Sequence, residues 1–253
     1  MTVTITPSAT RTAERVAAVF DGVFATIDEW RVLLERHLAD VNEQRTDTLD
    51  PLVESFALSA VSAEGLIRGA GFVCAPGLLT DAAWHLAWWL ADAPDAPRRL
   101  ATVDDPESEQ FRDYTALEWW RVPARTGARH LTGPYVDYVC TDDYTVTITS
   151  PVAVGGVLQG VVGIDALVDR LETEMLPELR ALATPTAVVN ASGRIVTATD
   201  ARREPGSILR LDGLGTALAP LREAEPGELD VTLLGGARVL SCGETSLALV
   251  VGI

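Results

Sequence analysis

The sequence has few basic residues, and they do not cluster. Its 20 Lys and Arg are outnumbered by 36 Asp and Glu, so the formal net charge is −16. Basic residues stand together only in short pairs such as Arg98-Arg99 and Arg202-Arg203. A protein that binds nucleic acid or an anionic membrane usually presents a basic face. We therefore expect neither partner, and we interpret the acidic balance as a contribution to solubility.

Cysteine is also scarce. The three residues, Cys74, Cys140 and Cys242, are far apart in the sequence, so no CxxC pair indicates a metal or redox site. A sparse, odd count is typical of proteins in a reducing compartment. The N-terminal region shows no charged segment followed by the apolar core of a signal peptide, and no apolar run reaches the roughly 18 residues of a membrane helix. We expect a cytoplasmic protein with no membrane segment, metal or cofactor.

Catalytic motifs are absent as well. The sequence contains no GxSxG elbow, HExxH, P-loop or GxGxxG after a strand. The three His are far apart, and the spacing of His130 from Asp137 or Asp143 is not specific for an acid/base pair. We therefore predict that the protein is not an enzyme. A metabolic enzyme that uses such a pair and a dimeric interaction protein without a ligand are the alternatives.

Apolar residues are plentiful and well patterned. Of the 253 residues, 47% are hydrophobic, which suits one large domain or two small ones. Residues 11–42 show a helical pattern with apolar positions in alternating steps of four and three. This heptad seam comprises Val16, Phe20, Val23, Ile27, Trp30, Leu34, His37 and Val41. A helix packed on its own domain and a helix that forms a homodimer both explain the seam, and we interpret His37 as a packing residue.

The remaining pattern predicts an α+β fold with two modules. We assign residues 1–50 to a tail and the long helix, 51–182 to a first module with a connecting helix, and 183–253 to a second, smaller module. In the first module we predict strands at 66–74, 83–90, 135–139, 143–152 and 157–165, and helices at 52–61, 111–120 and 166–182. The sequence VVGI occurs at 161–164 and again at 250–253, which suggests a duplicated module.

The candidate ligand site lies in residues 111–165, which hold two of the six Trp and all four Tyr. Aromatic faces beside carboxylates suit a small cationic or zwitterionic molecule. The main candidates are Trp119, Trp120, Tyr135, Asp137 and Asp165. Tyr135 and Asp137 are two residues apart on a predicted strand and so project to the same face. The alternative roles are core packing for the Trp pair and an N-cap of the following helix for Asp165.

This stretch resembles the double Cache sensor family, the PAS-like ligand-binding domains of bacterial chemoreceptors and histidine kinases. The resemblance rests on the Trp119-Trp120 pair, the element GPYVD at 133–137 and the element TVTITSPVAVGGVLQGVVGID at 145–165. It implies a long N-terminal helix followed by two PAS-like modules with antiparallel sheets. It also implies that the first module binds a small molecule.

The resemblance implies residue roles too. In amino-acid-binding members of the family, an Arg two residues before a Trp holds the ligand carboxylate, and a Tyr-x-Asp with a later Asp holds the amine. Tyr135, Asp137 and Asp165 would therefore hold an amine, whereas Leu117 stands at the position of the Arg. A ligand carboxylate would then be held elsewhere, with Arg121 and Arg68 as the candidates.

Tyr114 and Trp89 are further candidates for the pocket wall. The predicted function is thus that of a sensor that binds an amine-bearing or amino-acid-like metabolite in its first module. Because no kinase, cyclase or methyl-accepting signalling domain is recognisable, we expect the signal to pass to a regulatory protein partner or through a homodimer.

Overall fold

The computed structural model describes residues 8–41, 43–91, 97–136, 144–223 and 226–253. Within them, one long helix, α1 (Ala9–Asp40), is followed by a six-stranded and a five-stranded antiparallel sheet. The predicted α+β class, with a long helix and two PAS-like modules, is confirmed. The module boundaries stay a prediction, and Asp137, Cys140 and Asp143 lie outside the described residues. None of the described helices is long and apolar enough to cross a lipid bilayer.

Helix α1 begins in the region that the sequence predicts, because Ser8 caps it. The Ser8 hydroxyl accepts a hydrogen bond from the Arg11 backbone N–H at 3.2 Å. The heptad positions from Val16 to Leu34 are buried, and the helix packs against strands of both sheets. The chain's own core therefore fills the seam, and the heptad pattern needs no partner helix to explain it.

The first module carries the six-stranded sheet. Its elements are α2 (Thr46–Ala60), β1 (Ile67–Cys74), β2 (Leu86–Leu90), β3 (Arg98–Arg99), α3 (Glu118–Thr126), β4 (His130–Val136), β5 (Tyr144–Val154) and β6 (Val157–Leu167). The strand order is β3-β2-β1-β6-β5-β4. Strands β5 and β6 form a hairpin, in which Gly155 and Gly156 have φ of 58° and 81°. Two consecutive positive φ values are what a tight two-residue hairpin turn requires.

The two faces of this sheet pack against different partners. Along β2, Ala87 and Trp89 join the main core with α1 and α2, whereas Trp88 and Leu90 pack among aromatic residues on the other face. This alternation is typical of a strand, and β2 at Leu86–Leu90 lies within the strand predicted at residues 83–90. Residues from 97–126 cover the face that lies away from α1. We call it the covered face, and the candidate site lies on it.

Helix α2 begins at Thr46, whereas the sequence pattern predicted a start at residue 52. Asp81 accepts hydrogen bonds from the Thr46 backbone N–H at 3.1 Å and from the Thr46 hydroxyl at 2.8 Å. A carboxylate at this end satisfies a free N–H and interacts favourably with the helix dipole. The hydrogen bond from the Thr46 side chain also lowers the pKa of Asp81. Since the cap comes from a distant loop, the local sequence does not reveal it.

The predicted helix at residues 111–120 is wrong in its bounds. Only a 3₁₀ turn (Tyr114–Ala116) lies there before α3 begins at Glu118. Pro123, inside α3, has no N–H, so the carbonyl of Trp119 lacks its helical partner. The Thr149 hydroxyl on β5 donates to this carbonyl oxygen at 2.8 Å. One sheet residue thus compensates for the proline and attaches α3 to the sheet.

The second module repeats the topology of the first. Its elements follow α4 (Val168–Arg180) and are β7 (Thr186–Asn190), β8 (Ile195–Ala198), α5 (Leu214–Ala217), β9 (Asp230–Thr232), β10 (Arg238–Ser241) and β11 (Leu247–Val251). The order β8-β7-β11-β10-β9 matches the order β2-β1-β6-β5-β4 in the first sheet. The two VVGI sequences begin on β6 and β11, which hold equivalent positions. The structure therefore supports a duplicated module.

We predict that Thr149→Val lowers the free energy of unfolding by about 1–3 kcal/mol, because the Trp119 carbonyl loses its partner. Pro123→Ala restores an N–H to that carbonyl, so the same Thr149→Val change should cost less in the Pro123→Ala background. Chemical denaturation of the four proteins completes the cycle. Equal costs in the two backgrounds would contradict the role assigned to Thr149.

We also predict that two thiols are unreactive in the folded protein. Burial, with a smaller contribution from Asp50, raises the pKa of Cys74 far above its ordinary value, and burial raises the pKa of Cys242 to about 12. Only the thiolate reacts readily, and at about pH 8 both groups remain protonated. A folded Cys140→Ser variant should therefore resist an aromatic disulfide reagent, whereas the denatured variant should react at both remaining thiols. Rapid reaction of the folded variant would contradict this packing.

Candidate functional site

Asp165 lies in a row of paired residues that crosses the six-stranded sheet. The strand register pairs it with Gly69 on β1 and with Thr147 on β5, and Leu90 and Thr132 extend the row to β2 and β4. Side chains paired directly across antiparallel strands project to the same face, here the covered face. The row therefore brings an acid and two hydroxyl groups together where the sheet is closed from solvent.

Asp165 accepts from a chain of hydroxyl groups. The Thr147 hydroxyl donates to Asp165 Oδ1 at 2.6 Å, and the hydroxyl oxygens of Tyr135 and Thr147 are 2.6 Å apart. A hydroxyl has a single proton to donate, so Tyr135 donates to Thr147, which donates to Asp165. Asp165 is only 4% exposed, and hydrogen bonds of this kind offset the cost of burying a carboxylate. The Thr147 hydroxyl thus connects two of the predicted site residues, Tyr135 and Asp165, by hydrogen bonds.

Glycines on β1 leave room for this arrangement. A Cβ atom at Gly69 would lie 2.7 Å from Trp88 Nε1 and 2.9 Å from Asp165 Oδ2, and a Cβ atom at Gly71 would lie 2.9 Å from Trp88 Cε3. The Trp88 indole therefore lies over β1, across both glycines. Its N–H end is beside the Asp165 carboxylate. A side chain at either glycine would push the indole away from this position.

Two polar atoms on this face have no hydrogen-bond partner within the described part of the chain, namely Trp88 Nε1 and Thr132 Oγ1. Trp88 is 5% exposed. Buried indole N–H groups ordinarily find an acceptor, and a buried donor without one costs about 1–3 kcal/mol. These atoms mark the part of the covered face where polar atoms of a ligand would find protein partners.

An aromatic cluster stands on the same face. The ring centroid of Tyr114 lies 5.1 Å from that of Trp84, 6.4 Å from Trp119 and 5.2 Å from Trp120. The Tyr114 hydroxyl donates to the Cys74 carbonyl oxygen at 2.8 Å, and burial raises the pKa of Tyr114 above its ordinary value. Tyr114 therefore attaches the covering segment to β1, and its hydroxyl proton is already used.

The two residues of the Trp119-Trp120 pair have different surroundings. Trp120 is buried in one cluster with Trp88. Trp119 is half-buried and lines a cavity of about 290 Å³ together with Trp84, Phe111 and other residues. Core packing, the alternative role for the pair, therefore applies to Trp120.

One other predicted site residue, Trp89, does not join the cluster. Trp89 packs in the main core on the opposite face of the sheet, with the Arg99 guanidinium carbon 5.6 Å from its ring centroid. The structure therefore separates Trp89 from Asp165. Asp137 lies outside the described residues, so its role stays a prediction.

The proposed substitutes for the missing Arg are not placed beside Asp165. Leu117 precedes α3 and packs with the aromatic cluster. Arg121 is exposed on α3. Arg68 donates a hydrogen bond at 2.8 Å to the carbonyl oxygen of Ala63, which lies in the connection between α2 and β1. A ligand carboxylate next to Asp165 would therefore need a different donor.

The N-cap explanation for Asp165 is wrong. Strand β6 continues to Leu167, which is the residue that precedes α4. The pairing of Asp165 with Gly69 and Thr147 keeps it inside the sheet. Thr147 itself could have been found from the sequence, because TVTIT at 145–149 places three Thr on one face of a strand.

Within the described residues, two of the three histidines lie beside carboxylates. His130 Nε2 lies 3.1 Å from Glu118 Oε1, and this hydrogen bond lowers the pKa of Glu118. His85 Nε2 lies 2.7 Å from Asp50 Oδ1. Among the described residues, no three His, Cys, Asp or Glu are grouped as metal ligands.

A larger cavity, of about 630 Å³, lies between the modules. Among the residues that line it, Arg129 forms an ion pair with Glu244 at 3.0 Å, and its guanidinium carbon lies 4.2 Å from the Phe24 ring centroid. None of its described lining residues has a buried polar side-chain atom without a partner. The covered face is therefore the stronger candidate for ligand recognition.

We predict that Thr147→Val lowers the free energy of unfolding by about 1–3 kcal/mol, since Asp165 loses a donor and Tyr135 loses an acceptor. Tyr135→Phe removes only the first donor of the chain and should cost about 0.5–1.5 kcal/mol. In the Thr147→Val background, the Tyr135→Phe change should cost less than in the wild type. Denaturant unfolding of the four proteins measures this coupling, and its absence would refute the hydroxyl chain.

Known proteins share this fold. Residues 99–173 match the family model for the methyl-accepting chemotaxis protein-like, first PDC sensor domain. No curated protein matches the chain. Among solved structures, a methyl-accepting chemotaxis protein X is similar, with a TM-score of 0.64 and 18% identity over 97% of this chain and 94% of that chain.

Two further structures extend the comparison. The extracellular domain of the putative histidine kinase mmHK1S-Z3 has a TM-score of 0.66 and 15% identity, over 94% of this chain and 89% of that chain. The ligand-binding domain of the Pseudomonas aeruginosa PAO1 amino acid chemoreceptor PctC, in complex with GABA, has a TM-score of 0.56 and 15% identity. The match covers 96% of this chain and 95% of that chain. These likenesses show a shared fold. They confirm that the chain has the fold of double Cache sensor domains, and residues 99–173 are similar to a first PDC sensor domain.

Proposed function

We propose that this chain is a small-molecule sensor that binds an amine-bearing ligand on the covered face of the first module, with Asp165 holding the amine. The observation that carries the proposal is the Asp165 carboxylate itself, buried beside aromatic rings and oriented by Thr147 and Tyr135. Charge attraction is stronger in a site that excludes water. A protonated amine is a small-molecule group that such a carboxylate binds strongly, because the hydrogen bond is assisted by charge.

The neighbours of known structure support an amine. The ligands named with them are GABA, L-Arg, L-valine and L-serine. All four carry a protonated amine, and three of them are α-amino acids. Asp165 belongs to the part of this chain that resembles the amine-binding motif, whereas Leu117 stands at the position of the Arg that holds the ligand carboxylate in that family. The amine is therefore the part of the ligand for which the support is strongest.

Aromatic rings complete the proposed site. Trp88 and Trp120 pack in the same cluster on the covered face. The faces of Trp rings attract cations, with free energies of roughly 0.5–2 kcal/mol depending on solvent exposure. A ligand amine at Asp165 would gain from this second attraction, and the apolar part of the ligand would lie against the same rings.

Binding at this site requires a conformational response. Asp165 and Trp88 are closed from solvent, so a ligand reaches them only when the covering segment at 97–126 moves relative to the sheet. Thr149 and Tyr114 hold that segment in place through their hydrogen bonds to Trp119 and Cys74. A ligand that binds one arrangement of the cover better than another shifts the population between them. That shift is the proposed signal.

The second module contacts the strand that carries Tyr135. Asn190 Nδ2, at the end of β7, donates to the Gly133 carbonyl oxygen at 2.7 Å. Gly133 lies in β4, where the register with β5 shifts just before Tyr135. We propose that a change at Tyr135 reaches the second module through this contact and passes from there to a regulatory protein partner.

A homodimer and a cytoplasmic location stay predictions. The exposed side of α1 includes Val32 and Leu33, which are 45% and 42% exposed. Light scattering of the purified protein tests the dimer, and cell fractionation tests the location. The ligand proposal does not depend on either result.

We predict that screening amines, amino acids and carboxylates by thermal unfolding finds amine-bearing compounds that raise Tm. At 100 times its Kd, a ligand that binds only the folded state adds about 2.7 kcal/mol, which is roughly 5–10 °C for a chain of this size. Carboxylates without an amine should give no shift.

Asp165→Asn should abolish the shift, because it removes the charge and nearly keeps the shape. Asp169→Asn, at an exposed acid on α4, is the matched control and should bind like the wild type. The proposal is wrong if Asp165→Asn retains the amine-induced shift, or if no amine shifts the wild-type protein.

A further inference from the structure

We propose that the Trp88 indole N–H donates a hydrogen bond to an acceptor oxygen of the ligand, and so takes the place of the carboxylate-binding Arg that this chain lacks. This inference rests on the proposed function, since it names a second contact in the Asp165 site. It makes the ligand a molecule with an amine and a nearby carboxylate or carbonyl oxygen. It also assigns a role to a residue outside the stretch at 111–165.

The geometry places the donor beside the carboxylate. Trp88 Nε1 and Asp165 Oδ2 lie 2.7 and 2.9 Å from the same point, the position of a Cβ atom at Gly69. They are therefore neighbours above β1, although they belong to β2 and β6. A ligand whose amine binds Asp165 would bring an oxygen on an adjacent carbon into reach of this N–H.

The indole N–H of Trp88 has no acceptor among the residues that the structure describes. Trp88 is 5% exposed. A purely structural role would favour Phe at this position, because Phe fills an apolar cluster without leaving a buried N–H unsatisfied. The pair of glycines at 69 and 71 adds to this argument, since it makes the space in which the indole reaches Asp165.

The two candidate arginines, Arg68 and Arg121, do not compete for this role. Arg68 donates to the Ala63 carbonyl oxygen, Arg121 is exposed, and Leu117 has no donor. A neutral indole N–H binds a carboxylate less strongly than a guanidinium does. This site should therefore depend less on the ligand carboxylate than an Arg-containing site would.

One alternative explanation makes a different prediction. A small rotation of the indole would let Trp88 donate to Asp165 itself, and Trp88 would then act only by holding that carboxylate. In that case, removing the N–H would weaken the binding of every amine alike. Under our proposal, it weakens only ligands that carry the acceptor oxygen.

The test compares amino acids with their decarboxylation products, which keep the amine and lose the carboxylate. The probes are L-alanine with ethylamine, L-leucine with isopentylamine and L-lysine with cadaverine, titrated by calorimetry. The proteins are the wild type, Trp88→Phe, Asp165→Asn and the control Trp120→Phe, which shrinks a ring in the same cluster.

We expect Trp88→Phe to weaken amino-acid binding about tenfold or more, as for a hydrogen bond to a charged group, and to change binding of the matching amine less than about twofold. Trp120→Phe should change both members of a pair alike. In the wild-type protein labelled with ¹⁵N at Trp, the Trp88 indole resonance should move downfield with the amino acid and not with the amine.

Equal effects of Trp88→Phe on both members of a pair, or an indole resonance that does not respond, would overturn the role of Trp88 and leave the proposed function standing. A wild-type protein that binds no probe, or an Asp165→Asn variant that binds like the wild type, would instead overturn the proposed function, and the role of Trp88 with it.

Discussion

A carboxylate buried in the middle of a sheet is the constraint on which the first module depends. Burying it costs several kcal/mol unless hydrogen bonds replace water, and Thr147 supplies one from the neighbouring strand. That bond exists only if β5 and β6 keep their register, which depends on their two-glycine turn at Gly155-Gly156 and on the register shift between Val152 and Ala153. A slip of one residue would turn Asp165 towards the main core. The turn, the register and the candidate site are therefore parts of one arrangement.

The two faces of the six-stranded sheet differ in composition, and we assign stability to one face and ligand recognition to the other. Its face towards α1 is packed with apolar residues and shares one core with the second sheet, because the main core includes Leu240 and Leu249. The covered face instead holds the acid, the hydroxyl groups and the aromatic rings. A rearrangement on the covered face therefore occurs on a strand scaffold that α1 and the second module hold in place. This division is well suited to a sensor, in which a ligand changes the cover while the sheet stays folded.

Much of the fold could be predicted because it depends on local pattern. The heptad seam, the alternation along β2 and the Gly155-Gly156 turn are each visible in a short window of sequence. The bounds of α2 and α3 could not be predicted, because Asp81 and Thr149 come from distant parts of the chain and satisfy backbone groups there.

Part of the candidate site could also be predicted from local sequence pattern. Asp165 and Tyr135 stand out as polar residues within apolar strands, but their connection through Thr147 depends on the register of three strands. The position of Trp88 depends further on the absence of side chains at Gly69 and Gly71. Asp165 was also open to an N-cap explanation, which failed because the strand continues two residues beyond it.

The central claim is that Asp165 holds the amine of a small ligand on the covered face. A crystal structure of the protein with an amine-bearing compound selected by thermal unfolding tests it most directly. The account predicts a ligand nitrogen within about 2.7–3.2 Å of an Asp165 carboxylate oxygen, under the segment at 97–126. A ligand bound in the cleft between the modules, with Asp165 untouched, would contradict it.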